Sequence, residues 1–243
     1  MTYCVGMRIN KGLVFMSDTR TNAGVDNVSA FKKMFTWSTP GERVIVLQTA
    51  GNLATTQAVI SLLDERMKAP SDRNPGILEV PTMFQVAKLV GDTLKEVVAA
   101  QSGHGPAADS PFSATITVGG QIAGSEPRLF LVYPEGNFIE ASDETPYFQI
   151  GETKYGRPIL IRGYDPQMQF TDCVKLLMLS FESTLRANLS VGMPLDLLTY
   201  ETDSLTLGRE RRITSDDAYF QSLAEAWSES IRESIKALPD YTF

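Results

Sequence analysis

Strand-like and helix-like stretches occur in blocks along this chain, and that order limits its possible folds more than any other feature. The strand-like stretches are rich in apolar and β-branched residues and comprise residues 2–9, 12–17, 33–37 and 43–48, then 112–119, 128–133, 138–141 and 146–150. Two stretches with apolar residues at helical spacing separate these blocks, one from Asn52 and one from Thr82. A doubly wound parallel sheet needs a helix between successive strands, which this order does not supply. The order predicts two antiparallel sheets, each covered by helices, which is an α+β four-layer αββα sandwich.

The rest of the chain extends the same plan. Apolar spacing predicts a helix over residues 171–187 and a last helix from about Ser215, with a strand at residues 195–200 between them. Gln85, three residues after Thr82, completes a capping-box pattern at the start of the second helix. No internal repeat or clear linker interrupts the sequence, so we expect a single domain over residues 1–243.

The composition excludes several classes of function. The 243 residues include 22 Lys and Arg and 29 Asp and Glu, and the net charge of −7 argues against nucleic acid or an anionic membrane as a partner. No apolar run approaches the ~20 residues that a membrane-spanning helix needs, and the start lacks a signal-peptide pattern. Two cysteines, Cys4 and Cys173, cannot form a disulfide framework, so we expect a reducing cytoplasmic location.

The presence of a single histidine removes most hydrolytic mechanisms. A Ser-His-Asp or Cys-His triad would have to use His104, which lies in a Gly- and Pro-containing stretch typical of a solvated loop. A zinc site would have to rely on carboxylates and two distant cysteines. We therefore expect hydrolysis, if present, to proceed without histidine, metal or cofactor.

Thr2 is the most informative residue for chemistry. Initiator methionine is generally removed before a small residue, and its removal would give Thr2 a free α-amine. An α-amine has a pKa near ~7.7–8.0, so it can accept a proton at neutral pH from its own threonine hydroxyl. Taken alone, a threonine at position two is common and is usually an ordinary residue of the first strand.

Three neighbouring features favour the catalytic interpretation. Asp18 ends the second strand, where a hairpin would place it near the chain start, and Lys32-Lys33 precedes the next strand. A lysine near Thr2 would favour the unprotonated amine and lower the pKa of the hydroxyl, and Asp18 would orient that lysine. The Gly51 N–H comes directly before a helix, which is a suitable place for an oxyanion donor.

These residues together resemble a known family. The ordered pattern of Thr2, then Ser17-Asp18-Thr19-Arg20-Thr21-Asn22-Ala23-Gly24, Phe31-Lys32-Lys33-Met34 and Thr49-Ala50-Gly51-Asn52 is similar to proteasome β-type subunits, and most similar to their bacterial Anbu (ancestral β subunit) branch. The resemblance covers nearly the whole chain and is strongest over residues 2–60. It implies the αββα fold of N-terminal-nucleophile hydrolases, a threonine peptidase or amidase activity and a homo-oligomeric ring or spiral.

The resemblance also implies roles for individual residues. It assigns the catalytic groups to Thr2, Asp18, Lys33, Gly51 and Ser190, with Lys33 preferred because the family's lysine is the second of a Lys-Lys pair. It assigns peptide or protein substrate binding to Thr21, Asn22, Gly24, Phe31, Phe35, Thr49 and Leu53.

The sequence departs from the family at two supporting positions. The family's Gly-Ser-Gly corresponds to Gly151-Glu152-Thr153, and its auxiliary aspartate corresponds to Asn188. Three functions remain open: a self-compartmentalising threonine peptidase, an amidase for a dedicated non-protein amide, and a non-catalytic structural subunit. Retention of Thr2, Asp18 and Lys33 argues against the third.

Overall fold

A computed structural model of the chain describes residues 1–22, 28–68, 75–102 and 112–242. The strands are β1 (Tyr3–Ile9), β2 (Gly12–Asp18), β3 (Arg20–Asn22), β4 (Val28–Ala30), β5 (Met34–Thr39), β6 (Arg43–Gly51), β7 (Ala114–Ile122), β8 (Arg128–Val132), β9 (Phe138–Glu140), β10 (Tyr147–Gly151), β11 (Leu195–Glu201) and β12 (Glu210–Ile213). The helices are α1 (Leu53–Lys68), α2 (Met83–Ser102), α3 (Arg157–Gly163), α4 (Phe170–Ala187) and α5 (Ala218–Ala237).

The described residues form two large antiparallel sheets, as the block order predicts. One sheet has the order β10-β1-β2-β11-β12 and the other the order β5-β6-β7-β8-β9, while β3 and β4 form a short separate hairpin. Helices α1 and α2 bury their apolar faces on the second sheet, and α3 and α4 bury theirs on the first. Phe15 and Val46 lie in the layer where the two sheets face each other. The predicted αββα sandwich of the α+β class is therefore confirmed.

The register of the first sheet positions the chemistry. The hairpin between β1 and β2 pairs Cys4 with Ser17, and β11 pairs Leu195 with Asp18 on the other side of β2. Asp18 therefore ends β2 beside the start of β1 and next to the segment that enters β11. This arrangement places the chain start and the Asp18 side chain at the same end of the sandwich.

Helix α3 and strand β12 were not predicted, and neither were the short strands β3 and β4. Helix α3 has only seven residues, too few to show a helical period. Strand β12 pairs with β11 as an edge strand, and Ile213 is its only buried residue. The edge strand exposes its charged side chains, as edge strands commonly do, and so lacks an apolar pattern.

One predicted boundary differs slightly, one capping pattern is confirmed, and one prediction lies outside the described residues. Helix α5 begins three residues after Ser215, because the Asp217 side chain caps it by accepting a hydrogen bond from the Phe220 N–H at 2.9 Å. The Gln85 N–H donates to Thr82 Oγ1 at 3.2 Å, as the capping pattern predicts. His104 lies outside the described residues. None of the helices in the described ranges is long and apolar enough to cross a membrane.

Candidate active site

A buried ion pair lies beside the start of the chain. Lys33 Nζ is 2.7 Å from Asp18 Oδ1, and the side chains are 5% and 0% exposed. Lys33 also donates to the backbone oxygen of Arg20 at 2.6 Å. The Asp18 carboxylate accepts further hydrogen bonds from the Tyr3 N–H at 3.0 Å and the Gly192 N–H at 3.3 Å. Burial raises the pKa of Asp18, while Lys33 and these N–H donors act in the opposite direction.

The Thr2 backbone is held from two sides. Its carbonyl oxygen accepts a hydrogen bond from the Glu152 N–H at 2.6 Å, and the next residue, Tyr3, is bound to Asp18. Gly151 has a φ of +81°, and a Cβ on it would lie 2.0 Å from the Thr2 oxygen. Only glycine therefore allows this close approach between the end of β10 and the chain start.

The free amine of the unprocessed chain titrates in the same environment. The pKa of the Met1 α-amine is lowered, first by burial and then by the positive charge of Lys33, while Asp18 raises it. A lower pKa leaves more of the amine unprotonated at neutral pH, which is the state that can accept a proton. The surroundings of the chain start thus favour a base.

Gly51 lies where β6 passes into α1. Its φ is +117°, and a Cβ would lie 2.4 Å from the Ser113 backbone oxygen, so a side chain is excluded. The next residue, Asn52, caps α1 by accepting a hydrogen bond from the Thr55 N–H at 3.1 Å. The positive end of the α1 dipole therefore lies beside Gly51, where it favours developing negative charge.

A cavity of about 310 Å³ joins these groups. It is lined by Met1, Thr2, Thr21, Lys32, Lys33, Thr49, Ala50, Gly51, Leu53, Thr56 and Gly151. Six residues assigned from the sequence are in this lining: Thr2, Thr21, Lys33, Thr49, Gly51 and Leu53. Asp18 is behind Lys33, completely buried.

Other assigned residues lie elsewhere. Phe35 faces α1 and packs against the core beneath it, because strand alternation directs it away from the neighbouring Met34 layer between the sheets. Phe31 is 37% exposed, and its N–H donates to the Thr19 oxygen outside the cavity lining. Ser190 is half-buried outside the lining, in the same loop as Gly192. Asn22 is the last residue of β3, and Gly24 lies outside the described residues.

Sequence reasoning missed several members of the site. Thr56 lies one turn beyond Leu53 on α1, so helical spacing could have identified it. The backbone groups of Gly192 and Arg20 that bind the ion pair carry no side-chain signal. The need for glycine at Gly151 depends on a contact with Thr2, about 150 residues away in sequence, which local patterns do not reveal.

The two positions that depart from the family pattern contact each other. Asn188 Nδ2 donates to Glu152 Oε2 at 2.9 Å, and the Lys154 N–H donates to Glu152 Oε1 at 2.8 Å. Asn188 Oδ1 accepts from the Ser190 N–H at 3.0 Å, and both Glu152 and Asn188 are at most 9% exposed. The buried carboxylate and the buried amide therefore form one hydrogen-bonded unit next to the chain start.

Comparisons with known proteins agree with this geometry. The family model described as proteasome subunit matches residues 2–197. Similar solved structures include Anbu from Yersinia bercovieri (44% identity, TM-score 0.93, all of both chains) and an Anbu (Gly-1) mutant from Hyphomicrobium sp. strain MC1 (48%, 0.93, all of both chains). Another is the helical assembly of the Anbu complex from Pseudomonas aeruginosa (47%, TM-score 0.93, 99% of this chain and 98% of that one). A comparison with curated protein sequences gave no match.

Proposed function

Because the chain belongs to the proteasome subunit family, we propose that it acts, after removal of Met1, as a threonine-type N-terminal-nucleophile hydrolase on peptides or related amides. The observation that carries this proposal is the buried Asp18–Lys33 ion pair beside Thr2. Burying two charges has a large desolvation cost, and a scaffold without chemistry has no use for them there. The lowered pKa of the Met1 α-amine, caused by burial and by Lys33, gives further support, because it shows that the surroundings of the chain start favour a neutral amine.

The proposed reaction uses groups of this chain alone. The Thr2 hydroxyl oxygen attacks the substrate carbonyl carbon while the Thr2 α-amine takes the hydroxyl proton. The Gly51 N–H and the positive end of α1 stabilise the oxyanion, and Lys33, held by Asp18, favours the neutral amine and the ionising hydroxyl. The amide C–N bond then breaks, and the α-ammonium returns its proton to the leaving amine. Water, with the amine again as base, hydrolyses the resulting ester and restores Thr2.

We also propose that the protein works as a homo-oligomer. The Pseudomonas aeruginosa relative is described as a helical assembly, which supports a ring or spiral here. Helix α5 is in agreement with this, because Ile231 and Ile235 on it are exposed apolar residues. Light scattering at micromolar concentration should give a mass of several chains, and a monomer alone would contradict the proposal.

The activity is tested by covalent labelling. Intact-mass measurement should first show a protein that begins at Thr2, and a product retaining Met1 would contradict the mechanism. A peptide epoxyketone, which reacts with N-terminal threonine, should then add once and map to Thr2. Amide hydrolysis by Thr2→Ala would also contradict the mechanism.

An amidase specific for a non-protein amide is a second candidate. The Glu152–Asn188 unit favours it, because a buried carboxylate stands where the family has a hydroxyl. Labelling of Thr2 together with slow hydrolysis of every peptide in a mixed library would favour this candidate over a general peptidase.

A further inference from the structure

The cavity beside Thr2 contains positive charge and hydroxyl groups, but no carboxylate from the described residues lines it. Three threonines, Thr21, Thr49 and Thr56, contribute polar side chains, and Lys32 and Lys33 contribute positive charge. The Lys33 ammonium is bound to Asp18 and to the Arg20 oxygen, so its charge is balanced. The charge of Lys32 remains for a ligand.

Of the two lysines in the cavity lining, Lys33 is paired with Asp18 and Lys32 is not paired with a described carboxylate. Described lysines such as Lys68, Lys88 and Lys175 pair with a carboxylate of their own helix, whereas no carboxylate of the described ranges forms an ion pair with Lys32. Its Nζ lies 5.8 Å from the centre of the Phe35 ring, a distance suited to a cation–π contact. The aromatic ring thus helps to hold the ammonium at the wall of the cavity without neutralising it.

We propose that Lys32 determines the substrate specificity of the site by selecting a carboxylate on the acyl side of the cleaved bond. The preferred residue is one such as aspartate or glutamate, whose own carbonyl is attacked by Thr2. This inference rests on the proposed function, because it takes Thr2 as the nucleophile. The Lys32 ammonium donates a charge-assisted hydrogen bond to the substrate carboxylate, and the threonine hydroxyls complete its polar surroundings.

Charge, and not size, decides the preference. A cavity of about 310 Å³ has room for a leucine side chain as well as for an acidic one. An apolar side chain would leave Lys32 without a partner, and a lysine side chain would meet a like charge. The net charge of the chain is −7, so attraction of an acidic substrate must come from the cavity itself and not from the surface as a whole.

The test compares four peptide epoxyketones that differ only in the reactive residue: Asp, Glu, Leu and Lys. The rate of adduct formation on Thr2 is followed by intact mass. We expect the better acidic probe to react about tenfold or more faster than the leucine probe, which is the size of effect that a hydrogen bond to a charged group supplies. The lysine probe should react most slowly.

Substitutions at the exposed Lys32 separate this role from folding. Lys32→Gln should lower the rate with the acidic probes and bring the acidic-to-leucine ratio near one, and Lys32→Glu should reverse the preference towards the lysine probe. Lys88→Gln is the matched control, because it removes the same charge from α2 outside the cavity and should preserve the ratio. An acidic preference that survives Lys32→Gln would overturn the inference.

A binding measurement distinguishes this inference from the proposed chemistry. Thr2→Ala keeps Lys32 and the cavity wall, so calorimetry can compare its affinity for otherwise identical Asp and Leu peptides. Acid-selective binding by Thr2→Ala that is lost in Thr2→Ala/Lys32→Gln supports the inference. Failure of every probe to label Thr2 would overturn the proposed reaction but not this inference. Equal affinity of Thr2→Ala for both peptides would overturn the role of Lys32.

Discussion

The two ends of β1 each carry a cavity, an ion pair and a threonine, yet only one end has the properties of a reaction site. At the end that holds Thr2, the cavity is about 310 Å³ and the Asp18–Lys33 pair is buried. At the other end, a larger cavity of about 530 Å³ is lined by Arg8, Asp143 and Thr202 among others. Asp143 there is 99% exposed, so its pairing with Arg8 lies in water.

The difference shows that charge burial identifies the site better than cavity size. Exposed ion pairs contribute little, because water screens and solvates both partners. A buried pair costs desolvation energy and fixes the position of its charges, which suits a group that must act on a reacting atom.

The two threonines should differ most. Thr2→Ala removes the only nucleophile that lies next to a chain-terminal amine, and we expect loss of both turnover and epoxyketone labelling. Thr202→Ala removes a hydroxyl from the larger cavity and should leave both unchanged. Rates and intact masses measured side by side check this pair, and equal losses would show that the two ends are not distinct.

The two ion pairs should differ in stability. Asp18→Asn leaves the Lys33 charge buried without its partner, so we expect the free energy of unfolding to fall by about 3–5 kcal/mol. Asp143→Asn should give no measurable change, because the side chain is surrounded by water. Denaturant unfolding of both variants tests this contrast. A decrease in the free energy of unfolding of Asp18→Asn as small as that of Asp143→Asn would contradict it.

The cations at the two ends should differ in catalysis. Lys33→Ala should lower the rate at least ~10²-fold, the low end of what one acid–base or electrostatic group supplies. Lys32→Ala should cost far less with a leucine substrate, and Arg8→Ala should cost nothing. Steady-state kinetics on the folded variants measures these differences in rate. A decrease in rate in Arg8→Ala comparable to that in Lys33→Ala would contradict the distinction between the two ends.

The pKa values of titratable groups at the two ends are shifted in opposite directions. The pKa of the Met1 α-amine is lowered, whereas burial raises the pKa of Tyr164 in the other cavity to about 12. In protein that retains Met1, chemical acetylation of the chain terminus, followed by mass spectrometry against pH, should therefore have its midpoint below the ordinary ~8. Lys33→Ala should move that midpoint upward, because it removes a nearby positive charge, and Arg8→Ala should not.

The same titration has a signed effect on stability. Between the lowered pKa of the folded chain and its ordinary value near ~8, the unfolded chain binds more protons at this amine. The contribution of this group to the free energy of unfolding therefore increases as pH rises through that window and is constant above it. For the processed enzyme, the rate should fall as pH drops through the pKa of the Thr2 α-amine, since the protonated amine cannot accept the hydroxyl proton.

The sequence predicted the layers well and the boundaries of the site less well. Apolar periodicity identified every strand of the second sheet, four of the five strands of the first, and four of the five described helices, α1, α2, α4 and α5, because each of these elements buries an apolar face. It missed α3 and β12, which are short or exposed. Phe35 was assigned to the substrate pocket although it packs under α1, and only strand register determines the side on which an aromatic residue lies. Lys32 was set aside as the less favoured lysine, since one sequence cannot show that its side chain lines the cavity.

The Glu152–Asn188 hydrogen bond has an evolutionary consequence. Replacing Asn188 alone by aspartate would place two carboxylates together in a buried position, and replacing Glu152 alone by serine would leave the amide without its acceptor. The two positions, 36 residues apart in sequence, therefore form an epistatic pair. A lineage that moves between this arrangement and one of serine and aspartate must pass through a destabilised intermediate or change both residues in close succession.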